Sequence, residues 1–383
     1  MATISGWFSQ CYGRHPDAAW RAPGRVNLIG EHTDYNGGLV LPFAIGQTVR
    51  VAGAARPDGV LELASRQAPN DRVAISLDAL EPGAVTGWAA YPAGVAWALA
   101  EAGHQVQGAS LAIDSDLPQG AGLASSAALE CAVAACSADL AGARLTRPEL
   151  AALAWRAEND FVGMPCGIMD QSAAMLCQAG HALLLDCRTG ESADVPLDPA
   201  GIGLQVLVID TGVRHQLTGG EYASRRAECE QAADRLGVPS LREVTSEAAL
   251  AGLADPVLAR RVRHVVTENA RVEDTVALLR AGRLAECGPL LTRSHESLRD
   301  DFEVSWPEAD LVVGTALAAG ALGARMTGAG FGGCVLALVP KDHAAAVADA
   351  VSAGFARPGL AAPSFLEVTP ARGASPVIKA RIR

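Results

Sequence analysis

At 383 residues the chain is long enough for two or three domains with a cleft between them. Half of its residues are hydrophobic and 19% are charged, a globular composition that argues against disorder. The net charge of −11, with 31 basic and 42 acidic residues and no basic stripe, argues against nucleic acid and anionic membranes as partners.

Only two lysines occur, Lys341 and Lys379. A Walker A loop needs Gly-Lys-Ser/Thr, so phosphate binding here has to use backbone amides, Arg and metal. The nine cysteines form no C-x-x-C pair, which reads as reduced thiols in a cytoplasmic protein rather than a disulfide frame or zinc site. Residues 1–6 lack signal-peptide order. The apolar run 311–324 is shorter than the roughly 18 residues needed to span a bilayer.

In chain order, residues 26–29 and 39–45 read as strands joined through Asn36-Gly37, a strong hairpin signal. The segment from Gly24 to Gly38 contains Arg25, Asn27 and Ile29 on one strand face, followed by Glu31, His32, Thr33 and Asp34 in the turn. Carboxylates and an imidazole there suit vicinal sugar hydroxyls. They also suit a solvated hairpin tip, and a third reading is a metal held by Glu31, His32 and Asp34.

Residues 120–141 read as a Gly-rich turn opening an Ala-rich helix. Its start, Gly120-Ala121-Gly122-Leu123-Ala124-Ser125-Ser126, combines amides at a helix N-terminus with two hydroxyls. That serves phosphate and Mg²⁺, or merely an ordinary turn with Ser caps. A second helix starts near Thr146, where Thr146 and Glu149 have capping-box spacing with Pro148 in the first turn. Its apolar face is Leu150, Leu153, Ala154, Ala157 and Phe161, and Glu158 lies at the edge of that face. A carboxylate there needs a partner, metal or distant cation, unless it is partly exposed. Gly167-Ile168-Met169-Asp170-Gln171 follows, and its spacing alone gives Asp170 nothing beyond a loop position.

Residues 204–209 are a candidate strand, and Pro196 and Pro199 suggest a domain boundary near residue 198, giving units 1–198 and 199–383. Helical patterns cover 221–236 and 257–281. Gly328-Ala329-Gly330-Phe331-Gly332-Gly333 matches G-x-G-x-x-G. A Rossmann loop, however, runs strand to helix, whereas here an Ala-rich helix precedes and a strand at 334–339 follows. The expectation is a helix-to-strand turn, packed against the phosphate loop if it is functional. Irregular alternation of strands and helices favours α+β over a doubly wound sheet.

Taken together, these segments resemble the galactokinase branch of the GHMP kinases. The first resembles that branch's recognition sequence and the second the shared ATP loop. Gly323-Ala324-Arg325-Met326-Thr327-Gly328, leading into the last, resembles the third GHMP motif. Residues 91–99, 215–229, 264–271 and 294–308 are also family-like. The chain departs from the usual pattern at Ala124, Ala128 and Ala329.

The resemblance implies two α+β domains with a site between them and transfer of the ATP γ-phosphoryl group to the anomeric hydroxyl of galactose. Asp170 is implied as base, Arg25 as the cation steadying the transition state and holding Asp170 ionised, and Ser126 and Glu158 as Mg²⁺ ligands. Glu31, His32, Thr33, Asp34, Gly167, Asp170 and Tyr222 are implied on the sugar, and residues 120–126 on ATP. The alternatives are a kinase for N-acetylgalactosamine or another sugar, and a non-catalytic galactose sensor. Intact Arg25, Ser126, Glu158 and Asp170 favour the enzyme. Oligomeric state stays open, with a monomer as the default.

Overall fold

The protein is described by a computed structural model covering residues 3–118, 120–214, 220–245 and 252–378. Gln119 of the phosphate loop, residues 215–219 of one family-like stretch and Lys379 lie outside the described residues.

The strands are β1 (Ala18–Asn27), β2 (Leu39–Val40), β3 (Pro42–Arg56), β4 (Val60–Ser65), β5 (Ala68–Ser76), β6 (Gly108–Ser115), β7 (His181–Asp186), β8 (Ser192–Pro196), β9 (Leu204–Asp210), β10 (Gly323–Thr327), β11 (Cys334–Pro340), β12 (Ser364–Val368) and β13 (Ser375–Ile378). The helices are α1 (Ile4–Tyr12), α2 (Ala90–Glu101), α3 (Ser125–Ala141), α4 (Arg147–Arg156), α5 (Met169–Leu176), α6 (Glu221–Leu236), α7 (Pro256–Arg280), α8 (Gly288–Asp300), α9 (Pro307–Ala318) and α10 (Ala344–Phe355).

Among the described residues a six-stranded sheet runs β13-β1-β3-β6-β4-β5, a four-stranded sheet β10-β11-β9-β12, and a small sheet β2-β7-β8. Pairing is antiparallel except between β4 and β6. The fold is therefore α+β. Strand β6 is buried along nearly its whole length because α1 covers one face of the large sheet and the α3 layer the other. Helix α3 packs on β1 and β3 and also touches α2, α4 and α5. A helix surrounded in this way is mostly apolar, with Glu130 a buried exception, and its alanines let those neighbours approach closely. Strand β13, from the far end of the sequence, pairs with β1 of the first sheet at Ala19↔Ile378 and Arg21↔Ser375.

Three local readings change. The hairpin is longer than expected: β1 pairs with β3 through Arg25↔Ala44 and Asn27↔Pro42. The connection is longer than a minimal turn, as expected, and Asn36 ends a single 3₁₀ turn within it. The Gly-rich segment 328–333 joins two strands, β10 and β11, and the Ala-rich helix stops earlier than expected, at Ala318. Gly320, with φ +102°, breaks that helix and lets the chain turn into β10. The capping box at Thr146 and Glu149 is present, and α6 spans Glu221–Leu236 as expected. Helix α4, however, continues into a π-helical turn over Ala157–Val162, which carries Glu158.

Candidate active site

A cavity of about 470 Å³ collects the sequence-predicted groups. Arg25, Glu31, His32, Asp34, Gly120, Gly122–Ser126, Glu158, Gly167, Asp170 and Tyr222 all line it. Thr33 and Ala121 do not. The Thr33 hydroxyl is buried inside its own loop against the Gly30 and Leu39 carbonyls, at 2.8 and 2.7 Å. Ala121 is buried. Both serve loop shape.

Arg25 enters the cavity floor from β1. Its Nε and Nη2 each donate to one Asp170 oxygen at 2.8 Å, a bidentate pair, and its Nη1 donates to the Gly122 carbonyl at 2.6 Å. One guanidinium thus connects the first turn of α5 to the phosphate loop. The Arg25 side chain is 6% exposed and that of Asp170 26%, so the carboxylate is the member of the pair that faces the cavity.

The phosphate loop ends in Ala124, which has left-handed φ +57° and offers no side-chain cap to α3. The first amides of a buried helix are left for a ligand, and a helix N-terminus favours an anion. Ser125 and Ser126 sit inside the first turn and not at the cap. The β10–β11 loop closes over this segment. Gly328 (φ +93°) lies so close that a Cβ would meet the Gly122 carbonyl oxygen at 3.2 Å. The packing anticipated for a functional Gly-rich turn is present.

In the loop after β1, Glu31 is buried with Oε2 on Arg325 at 2.8 Å and Oε1 on Asn27 at 3.2 Å. His32 takes left-handed φ +61° and contacts Tyr35, Tyr222 and Phe302, with its Nδ1 2.9 Å from the Tyr35 hydroxyl. Burial, with His264 next, holds His32 down at about 3, so the ring is neutral. Burial and then the nearby Asp170 carboxylate push Asp34 up to about 7. Position 167 has to be glycine, because any side chain there collides with the Asp34 carboxylate.

Glu158 is buried on the cavity wall. Gln171 donates to its Oε2 at 2.6 Å, and the Ser126 hydroxyl hydrogen-bonds to it. Burial raises its carboxyl above the usual range against the Ser126 bond. Glu130 behind it is pushed higher still, by burial and then by Glu158. Among the described residues no cluster of three His, Cys, Asp or Glu side chains could hold a metal by itself. A carboxylate and a hydroxyl side by side still fit Mg²⁺, which takes one or two protein oxygens and completes its shell with phosphates and water.

The far end of the cavity was not anticipated. Ser65, Gln67, Trp88, Ile113 and Ser115 line it there, two apolar side chains among three polar ones. They are scattered over β4–β6 and the approach to α2, and no local motif links them. Tyr91 also lines the cavity, and it was flagged only as the start of a family-like stretch.

Comparison with known proteins agrees with this geometry. The galactokinase galactose-binding signature matches residues 7–55, the GHMP kinases N terminal domain 90–178 and the GHMP kinases C terminal model 275–357. The chain is 50% identical to the galactokinase of Streptomyces coelicolor over 376 residues, covering 97% of both proteins. It is 49% identical to a galactokinase of Mycobacterium bovis, covering 89% of this chain and 96% of that one. The structure of Lactococcus lactis galactokinase complexed with galactose superposes with a TM-score of 0.93 at 35% identity, covering 97% of this chain and 98% of that one. Methanococcus jannaschii mevalonate kinase, at 17% identity and a TM-score of 0.69 over 92% of this chain and 98% of that one, shares the fold. Signature, full-length identity and superposition agree, and the chain belongs to the galactokinase family of the GHMP kinases.

Proposed function

We propose that this protein transfers the γ-phosphoryl group of MgATP to the anomeric hydroxyl of D-galactose, giving galactose 1-phosphate and ADP. The observation that carries the reading is the Arg25 guanidinium, which grips Asp170 beside the sugar loop while bonding to Gly122 of the phosphate loop. Acceptor and donor would meet at that junction.

Phosphoryl transfer depends on positioning and charge neutralisation more than on covalent help. Asp170 accepts the anomeric proton as the O1–P bond forms and the bond to the ADP oxygen breaks. Arg25 orients Asp170 and stabilises the negative charge at the transferring group. Glu31, His32, Asp34 and Tyr222 hold the sugar, and the open first turn of α3 receives the phosphates. Ser126 and Glu158 would hold Mg²⁺, which would neutralise phosphate charge. Trp88 and Ile113 would stack on the nucleobase, with Ser65 and Gln67 beside them to meet its polar edge. We assign residues 1–198 and 199–383 as the two units, apart from β13, which joins the first sheet. A cytoplasmic location is supported by nine unpaired cysteines.

A coupled assay with galactose and MgATP tests the reaction. Galactose-dependent ADP release is expected, and ADP no higher than in a sugar-free control refutes it. A parallel arm with N-acetylgalactosamine identifies the preferred sugar.

Asp34 gives a pH-dependent prediction. Its folded value of about 7 stands above the ordinary 3.8, so its stabilising, protonated form is fully present below about 4 and is lost as pH rises through about 7. Asparagine mimics the protonated form at every pH. At pH 8 the sugar-free Asp34→Asn protein is expected to melt roughly 2 °C or more above wild type, a gain that fades toward pH 4. Its galactose affinity is expected to fall about tenfold, with nucleotide affinity nearly intact. A greater loss for ATP than for sugar counts against Asp34 as a sugar contact.

A further inference from the structure

Glu31 is held at every polar atom it has. Its side-chain oxygens take Arg325 and Asn27, and its backbone is gripped from α7. Glu268 Oε1 accepts the Gly30 amide at 2.9 Å and the Glu31 amide at 3.3 Å, and His264 Nε2 lies 3.0 Å from the Glu31 carbonyl oxygen. A carbonyl only accepts, so His264 is the tautomer with its proton on Nε2.

Glu268 is fully buried, on a helix 237 positions away in sequence from the amide it holds. Its Oε1 also accepts the Ser294 hydroxyl at 2.7 Å, and its Oε2 pairs with Arg271 at 2.7 Å. Burial opposes ionisation, but Arg271, then His264, Arg325 and the Ser294 hydroxyl outweigh it and keep the carboxyl at about 2. Glu268 does not line the cavity. A buried carboxylate is costly, and a neutral acceptor would serve a loop needing only two hydrogen bonds. A charged acceptor binds amides more strongly and fixes them more tightly.

We propose that Glu268 is a positioning residue for galactose, setting the sugar-facing carboxylate of Glu31 by clamping the Gly30 and Glu31 amides from α7. The proposal rests on the assignment of Glu31 to the sugar. A hydrogen bond to a charged group is worth on the order of tenfold or more in affinity, so its misplacement is read directly in sugar affinity.

The test measures calorimetric galactose binding, the KM for galactose and for ATP, kcat and melting temperature for wild type, Glu268→Ala, Glu268→Gln and Thr275→Ala. Thr275 is buried on α7, and its hydroxyl bonds only to the Arg271 carbonyl within the helix, so its variant reports destabilisation alone. Glu268→Ala is expected to weaken galactose binding and raise its KM at least about tenfold, with the KM for ATP within about twofold. Glu268→Gln keeps an oxygen for the amides, and a rise of about threefold is expected. Thr275→Ala is expected to melt earlier with an unchanged galactose KM. A folded Glu268→Ala that binds galactose like wild type overturns the clamp. If that variant does not fold, Glu268→Gln decides: an unchanged galactose KM overturns the clamp, and a selective rise supports it. A wild type that binds galactose without turning it over refutes the kinase reading alone, since calorimetry still reads the clamp. A wild type that does not bind galactose overturns both.

Discussion

Asp170→Asn is expected to turn over galactose at least about a hundredfold more slowly than the parent chain while still binding the sugar. The change keeps the shape of the side chain and removes its ability to accept a proton. Its amide nitrogen would also face an Arg25 nitrogen, where an oxygen now accepts at 2.8 Å. The variant should therefore melt somewhat earlier, because a buried guanidinium loses its counter-charge. Three outcomes are distinguishable when calorimetry, turnover and melting are measured together, well below the melting point. A base gives lost turnover with retained binding. A purely structural carboxylate gives stability and binding lost in parallel. A sensor gives a wild type with no turnover to lose. Turnover near the parent value in a folded Asp170→Asn protein would falsify the base assignment.

Glu158→Gln is expected to raise the Mg²⁺ concentration needed for half-maximal turnover by about tenfold to a hundredfold, the scale seen even for groups supporting a metal ligand. The amide retains an oxygen for the Gln171 bond, now 2.6 Å, but loses the charge that attracts the ion. Burial already raises the Glu158 carboxyl, so the wild-type side chain loses stability as pH rises through its shifted value. The neutral amide escapes this, and the metal-free variant should melt no earlier than wild type at pH 8. A thermal-shift titration of Mg²⁺ with ADP present supplies a readout independent of turnover. If wild type and variant respond to the ion identically, Glu158 is not a ligand.

Local signals in the sequence identified those elements whose cause is local. The capping box at Thr146 and Glu149 fixed the start of α4, and apolar periodicity gave its buried face. The glycines before α3 marked the phosphate loop because only a tight turn needs them. Elements made by distant partners were not readable in this way. Nothing near Asp170 reveals that Arg25, 145 positions earlier, grips it. Thr33 resembled a sugar contact because it sits between His32 and Asp34, yet local backbone carbonyls capture its hydroxyl. Strand β10 was hidden by composition: Gly-Ala-Arg-Met-Thr reads as helix continuation, and its strand character comes from pairing with β11. The cavity wall of Ser65, Gln67, Trp88, Ile113 and Ser115 is assembled from the sheet and the approach to α2, so its residues have no common spacing to find.

The return of β13 to β1 has a consequence for synthesis on the ribosome. Strand β1 carries Arg25, and β13 occupies its otherwise open edge. The first sheet therefore cannot be completed until residues 375–378 have left the exit tunnel. Until then β1 presents unpaired amides and carbonyls that another chain could capture. A chain truncated before Ser375 would keep every residue of the candidate site and yet expose the strand that supports Arg25. Such a product should reveal itself first as aggregation during expression, before any defect in catalysis can be measured.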